Sequence, residues 1–405
     1  MASTLTSRMR FLVGTALLTA CGGGGTSVDP AFVAGEAARR VVLGDMADTA
    51  ILPTLRSFAA AADALVGATA TLVATPADAI ARREARAAWA SAMDLWQVAE
   101  VMQVGPAGAA SEGAGGRDLR DRIYAWPVFN GCRVDQETLA KSYADSAAVA
   151  ARAANIRGLA ALEHLLHAPD DSNACPLNAE LNTSGAWQAL GGAELAARRA
   201  AHAHALSRDL AALAATLRDA WEPARDDFRA AFADAGVITA SFGTAQEALN
   251  HVSDALFYID KEVKDLKVGT PLGYFSCATD TCPERFESRA SLSTHANLVA
   301  NVRGFRLLFS GVDTSAAARA TPRNFVALLV SAGAEPLAES MLDATDRIEA
   351  RLGDIRTDME SALANDPAQV EAVYEAVKSL TDLLKTQFVG TLDLDLPNRA
   401  EGDND

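Results

Sequence analysis

No stretch of this chain alternates apolar and polar residues for long enough to make a strand, whereas long runs repeat their apolar residues at helical spacing. That pattern restricts the fold to all-α. Alanine carries much of the apolar content and aromatic residues make up only 6%, which favours helix further. Residues 30–74 read as helix, with Pro53 a start or a kink. Thr75-Pro76 reads as a capping hydroxyl followed by proline at the first helical position, opening a helix to about Gln103. Its 28 residues would span roughly 42 Å, the length of a long bundle helix. Trp89, Met93, Trp96 and Glu100 share one stripe of it. Core packing accounts for the tryptophans and the methionine, but a buried carboxylate needs a partner. Residues 134–166 (Asp135 near the entry), 192–221, 239–267, 335–364 and 366–389 read as further helices, and Thr321-Pro322 opens a short one. His202 and His204 lie two apart on the 192–221 helix, so they point to different faces and read as solvated.

Two short runs echo each other: Asn155-Ile156-Arg157-Gly158 and Asn301-Val302-Arg303-Gly304. They suggest a chain built twice, as two antiparallel four-helix-bundle-like halves over 31–235 and 236–390, followed by an acidic, frayed tail over 391–405. On that register Arg122, Arg157 and Arg303 occupy corresponding or adjoining points, and Gly158 and Gly304 let another backbone approach. Two roles are open to these arginines. One is structural, as buried pairs with Glu100 or Glu163 that tie the halves together. The other is an anion-binding cleft at the junction. The structural role is preferred, with a ligand cleft nearby.

The first residues are an address. Arg8 and Arg10 precede an apolar run over 11–18, then Leu18-Thr19-Ala20-Cys21 and four glycines. This predicts a secretory signal over 1–20, a lipidated Cys21, and a flexible tether over 21–30; the alternative is an ordinary signal with a chance cysteine. A lipid on Cys21 makes a membrane the first partner and places the protein in the bacterial envelope, on the periplasmic or outer-membrane face. No later apolar run reads as long enough to span a bilayer. The formal net charge of −16 leaves no basic face for nucleic acid.

Cys132, Cys175, Cys277 and Cys282 remain, and export permits disulfides. Cys277 and Cys282 share one Gly/Pro-bearing loop, so a local bridge is the first expectation, which leaves Cys132 with Cys175. A four-cysteine zinc site is the rival, but the two CxxC knuckles it needs are missing.

Taken together, residues 31–389 resemble the imelysin family of bacterial envelope proteins, named for an insulin-cleaving peptidase. The carriers are Ala85–Trp89 with Glu100, the run Arg122-Ile123-Tyr124-Ala125-Trp126-Pro127, the two Arg-Gly runs, and Lys267-Val268-Gly269-Thr270-Pro271-Leu272-Gly273. The resemblance implies two helical-bundle halves, an envelope location and an association with iron acquisition, with envelope iron-transport proteins as partners. The family signature is Gly-x-His-x-x-Glu. Here the window runs Gly158 to Glu163, and its histidine position is Ala160. Histidine and glutamate three apart on a helix share a face and could hold one cation; alanine cannot ligate. Glu163, His167 one turn on, and Glu100 are the remaining candidate ligands for iron or another divalent cation. The structural alternative makes His164 and His167 helix-end residues, His167 being stabilised by the last carbonyls. The candidate ligand-binding set is Glu100, Arg122, Trp126, Arg157, Gly158, Glu163 and Arg303. No HExxH and no defensible Ser–His–Asp pattern occurs. The favoured expectation is therefore a non-catalytic ligand- or metal-binding lipoprotein linked to iron uptake. An imelysin-type metallopeptidase and a partner-docking structural lipoprotein are the alternatives.

Overall fold

The computed structural model describes residues 30–397 apart from 113, 170, 239 and 240. The expected signal peptide, Cys21, the expected tether up to residue 29, and residues 398–405 of the tail lie outside the described residues. Helix α1 (Pro30–Met46) passes through a π-helical turn, Ala47–Ile51, into α2 (Leu52–Ala74). Pro53, which has no N–H to give the helical ladder, stands two residues after the end of that turn. Leu52, Leu55, Phe58, Ala62, Leu65 and Leu72 put one face of α2 into the core. This continuous helix, Gly35–Ala74, is long and apolar enough to cross a membrane by length and composition, contrary to the sequence expectation. In the fold it is a packed helix, lying along its neighbours in the first bundle. Thr75 ends α2; Asp78, not Thr75, caps α3 (Ala79–Glu100) by accepting from the Ile80 N–H at 2.8 Å.

The helix expected over 134–166 is interrupted. It ends first at Ala140, where Lys141 turns left-handed (φ 54°), and resumes as α4 (Gly158–His167) after several short turns. Then come α5 (Gly191–Trp221), α6 (Ala245–Leu256), a π-helix (Ile259–Gly269), α7 (Thr294–Ser310), α8 (Asn324–Ser331), α9 (Glu335–Asp354) and α10 (Pro367–Leu383). The helix expected over 335–364 breaks at Ile355, and Asp358 caps a new one, Met359–Asn365. Among the described residues there is no strand, only an isolated bridge between Ala235 and Ile238. The first part of the tail is not frayed: Gln246 on α6 donates to the Asp393 carbonyl at 2.7 Å, and Leu394 is buried.

Two four-helix arrangements result. In the first, α2 packs on α3, α3 on α4, α4 on α5 and α5 on α2. In the second, the π-helix packs on α7, α7 on α9, α9 on α10 and α10 on the π-helix. One contiguous apolar core runs through both, and α1 packs against α6 and α8. The bundles meet where α7 lies on α3. This order sets α7 against α3 rather than α4, so the two Arg-Gly runs are not equivalent. Arg157 is the extended residue at the start of α4, and Gly158 follows at φ +69°; Arg303-Gly304 sits mid-helix in α7. These two runs therefore do not confirm the duplication proposed from their echo.

Both glycines do admit another backbone. A Cβ on Gly158 would lie 2.2 Å from the Ile123 carbonyl oxygen, and one on Gly304 would lie 2.5 Å from that of Val98. Gly304→Ala is therefore expected to force α3 and α7 apart and to lower stability by about 2 kcal/mol, measured by urea unfolding. A loss near zero would mean that the crossing has slack.

The disulfides pair as expected, Cys132 with Cys175 and Cys277 with Cys282. His202 is not solvated. It is buried against Tyr143 and Thr138 (Nδ1 to Oγ1, 2.8 Å), because α5 is enclosed on more sides than its alanine-rich pattern suggests. His204 is partly buried, with Nδ1 3.2 Å from Thr69 Oγ1.

Candidate functional site

Beside the α3–α7 crossing, polar side chains from both bundles converge out of solvent. Helix α3 contributes Gln97 and Glu100 at the end of its buried stripe, and the π-helix contributes Lys267. Helix α7 contributes Asn297 and Asn301. Arg120 comes from the short helix Leu119–Ile123, which leads into Tyr124 and Trp126. Glu287 and Ser291 come from the segment ahead of α7, and Glu163 from α4.

Lys267 is the centre of this cluster and is fully buried. Its Nζ donates to Gln97 Oε1 (2.6 Å), Asn301 Oδ1 (2.9 Å) and Glu287 Oε1 (3.0 Å). Those three acceptors use all three N–H donors of an ammonium. Glu100 Oε2 stands 3.9 Å away, and the rings of Trp126 and Tyr258 flank the charge at 5.7 and 5.5 Å. Glu287 is held further by the Tyr124 hydroxyl (2.8 Å), Gln97 Nε2 (3.2 Å) and Asn297 Nδ2 (2.9 Å). Asn301 returns its amide to the Gln97 carbonyl at 2.9 Å, joining α7 to α3. Burial, then Glu287, Glu163 and Glu100, push the Tyr124 phenol well above its ordinary value, so it stays a donor.

Glu100, the carboxylate that needed a partner, pairs with Arg120 (2.8 Å), which also reaches the Trp126 carbonyl (3.5 Å). Glu100 Oε2 and the Tyr258 hydroxyl have no hydrogen-bond partner among the described residues. Arg120 lines a cleft of about 320 Å³ together with Gln103, Asp118, Asp121 and Glu262, so it separates the buried cluster from an acidic mouth. Glu163 accepts from the Ser291 N–H (3.0 Å) and Oγ (2.8 Å). Burial raises its pKa to about 7 against those bonds, with Glu287 adding to the rise.

The structure thus brings Glu100, Trp126 and Glu163 to one region, whereas Arg157, Arg303 and His167 have their partners outside it. Arg157 is buried, but its partner is Asp209 on α5 (Nε to Oδ2, 2.8 Å), with a further bond to the Ala150 carbonyl (2.6 Å). This is a structural clamp with a partner different from the expected Glu100 or Glu163. Arg303 is half exposed and pairs with Asp313 at 3.1 Å. Arg120, two residues before Arg122, is the one that meets Glu100. His167 lies edge-on to Trp89 at 5.2 Å, and burial followed by Arg86 lowers its pKa to about 4. It is therefore neutral near pH 7, and it is the last residue of α4, the helix-end position that the structural alternative gave it. His164 pairs with buried Asp135 at 2.9 Å.

The residues that the sequence reading missed are Gln97, Arg120, Tyr124, Lys267, Glu287, Asn297 and Asn301. Lys267 carried a signal, being a lysine on the buried face of an amphipathic helix. Among the described residues, the cation expected from the resemblance finds no matching donor set. Among the described residues no three His, Cys, Asp or Glu side chains stand close enough to hold a metal ion. Glu163 is engaged by Ser291, and the convergent oxygens beside it already surround an ammonium.

The family model for Imelysin, the peptidase M75 family, matches residues 51–387. Two solved structures share the fold. An imelysin-like protein from Psychrobacter arcticum 273-4 has a TM-score of 0.68 at 18% identity, over 90% of this chain and 98% of that one. A protein from Parabacteroides distasonis ATCC 8503, described as an iron-regulated protein A precursor, has a TM-score of 0.68 at 15% identity, over 91% of this chain and 96% of that one. No curated protein matches.

Proposed function

The chain belongs to the imelysin family, and from that membership we propose that it is a non-catalytic binding protein of the bacterial envelope. On this reading it is tethered by a lipid on Cys21 and serves iron uptake. Its ligand meets the inter-bundle junction as a chelated or organic species rather than as a bare ion. The observation that carries the choice of ligand is Lys267: its ammonium occupies the place where carboxylate and amide oxygens of both bundles converge. A bare cation would have to displace a fully bonded buried charge. The acidic cleft over Arg120 is the approach from solvent. The leader pattern around Cys21 supports the location, and the iron-regulated description of the Parabacteroides protein supports the link to iron.

Calorimetric titration with ferrous, ferric and zinc ions is expected to show no saturable heat, and unfolded insulin is expected to stay intact. Cells lacking the protein are expected to accumulate less radioactive iron until the wild-type chain is restored. Stoichiometric binding of a bare ion that Glu163→Gln abolishes would overturn the choice of ligand. Chelator-sensitive insulin fragments would overturn the non-catalytic reading, and unchanged iron accumulation the physiological one.

A further inference from the structure

Lys267 and Glu287, the central ion pair of the junction, lie on either side of one loop. That loop, residues 270–286, contains the Cys277–Cys282 bridge. It leaves the π-helix at Gly269 and folds back on it. The Tyr274 N–H donates to the Gly269 carbonyl at 3.0 Å, and the Cys282 N–H donates to the Pro271 carbonyl at 2.8 Å. Gly273, at φ +88°, passes so close to the returning limb that a Cβ there would stand 2.1 Å from the Asp280 carbonyl oxygen. The two limbs therefore touch, and the bridge ties the tip of the loop to the returning limb at Cys282. From there the Arg285 N–H donates back to the Cys282 carbonyl at 2.9 Å, and the chain enters the buried run Phe286-Glu287-Ser288. Ser291, which bonds Glu163, follows. The bridge thus fixes the chain just ahead of two of the contacts that join the bundles.

The two disulfides of the protein stand in different surroundings. Cys175 is buried in a small apolar cluster with Leu181, Trp187 and Leu195, and Cys132 packs against that cluster. Their bridge joins residues 43 apart. Cys282 is buried as well, but Cys277 is half-buried and its neighbours Ala278, Thr279 and Asp280 are exposed. This second bridge joins residues only 5 apart. A thiolate must reach a sulfur to open a disulfide, and Cys277 presents one at the surface. The constraint that a bridge puts on the unfolded chain grows with the loop it closes. The short bridge is therefore both the easier one to reach and the one whose opening costs the fold less.

We propose that Cys277–Cys282 is a thiol–disulfide switch, which sets how firmly the segment from Glu287 to Ser291 is held at the junction. The reductant is a dithiol. One of its thiolates attacks the Cys277 sulfur, forming a mixed disulfide and releasing Cys282 as a thiolate that takes up a proton. The second sulfur of the dithiol then closes on the first and releases Cys277, which is protonated in turn. The dithiol leaves as a disulfide, and two electrons and two protons stay on this chain. With the tip of the loop untied, only the backbone bonds of the two limbs hold Cys282 in place, and Glu287 and Ser291 leave their partners more often. The switch depends on the position of the loop, not on which ligand the junction takes.

Dithiothreitol is added in steps to the full chain, and the thiols released at each position are counted by alkylation and peptide mass spectrometry. Cys277 and Cys282 are expected to open at roughly one tenth of the concentration that opens Cys132 and Cys175. In that interval, hydrogen exchange over residues 287–291 should quicken by roughly tenfold or more, while exchange over α5 stays as it was. Reoxidation with glutathione disulfide should restore the slow exchange. The variant Cys277→Ser/Cys282→Ser should exchange fast over 287–291 from the start and ignore the dithiol in the same interval. Reduction of the wild type keeps the test independent of the variant's folding. Opening of Cys132–Cys175 at the same or a lower concentration would overturn the proposal. So would selective opening of Cys277–Cys282 that leaves exchange over 287–291 unchanged, or a change that reoxidation does not reverse.

Discussion

Lys267→Met is expected to lower the free energy of unfolding by about 3–5 kcal/mol, the range for breaking a buried ion pair from one side. Methionine keeps the length of the side chain as far as Cε, with sulfur in place of Cδ, and removes the ammonium. The deletion leaves Glu287 with no opposite charge in bonding contact, takes the donor from Gln97 Oε1 and Asn301 Oδ1, and withdraws a positive charge 3.9 Å from Glu100 Oε2. These groups come from α3, the π-helix, α7 and the segment before α7, so the loss falls on the contact between bundles. The double variant Lys267→Met/Glu287→Gln should recover part of the loss, because the stranded charge is removed with its partner. Urea unfolding of the three proteins decides it. A single-variant loss under about 1 kcal/mol would show that the cluster behaves like an exposed ion pair and does not hold the bundles together.

The parts legible in the sequence are those that depend on neighbours along the chain. Helical periodicity placed Trp89, Met93, Trp96 and Glu100 on one stripe, and all four are buried. The loop spacing of Cys277 and Cys282 led to both disulfides. What was lost depends on which helix lies beside which. Arg157 pairs with Asp209, 52 residues away, and nothing on α5 distinguishes that carboxylate from its surface neighbours. Lys267 lay inside a quoted motif, but its acceptors come from positions 97, 287 and 301. Their convergence exists only once α7 lies on α3. The echo of Asn155–Gly158 in Asn301–Gly304 misled for a related reason: glycine answers to close backbone approach, and that demand arises at a helix start in one place and mid-helix in the other. The loss of the motif histidine at Ala160 was legible directly. Its consequence was not, because Ser291 reaches Glu163 from a segment 128 residues further on.

Glu163→Gln is expected to stabilise the protein at pH 8 by up to about 3 kcal/mol and to change it little at pH 4. The sign follows from the direction of the shift. Burial raises the Glu163 carboxyl from 4.5 to about 7, so in the folded chain the proton is held where the unfolded chain has already released it. Between those values the folded state binds more protons, and stability falls as pH rises; above about 7 the penalty is complete. Glutamine removes the titration. Its carbonyl oxygen can still accept from the Ser291 N–H and Oγ, so the two bonds survive the substitution. A gain at high pH, vanishing on acidification, would identify Glu163 as a carboxylate kept in place against its own stability cost, as positions retained for function commonly are. Unfolding free energies of wild type and variant, compared from pH 4 to pH 8, test this directly. A destabilised variant at pH 8 would mean that the ionised carboxylate is favoured in the fold, and that its partners include a cation stronger than the Ser291 bonds.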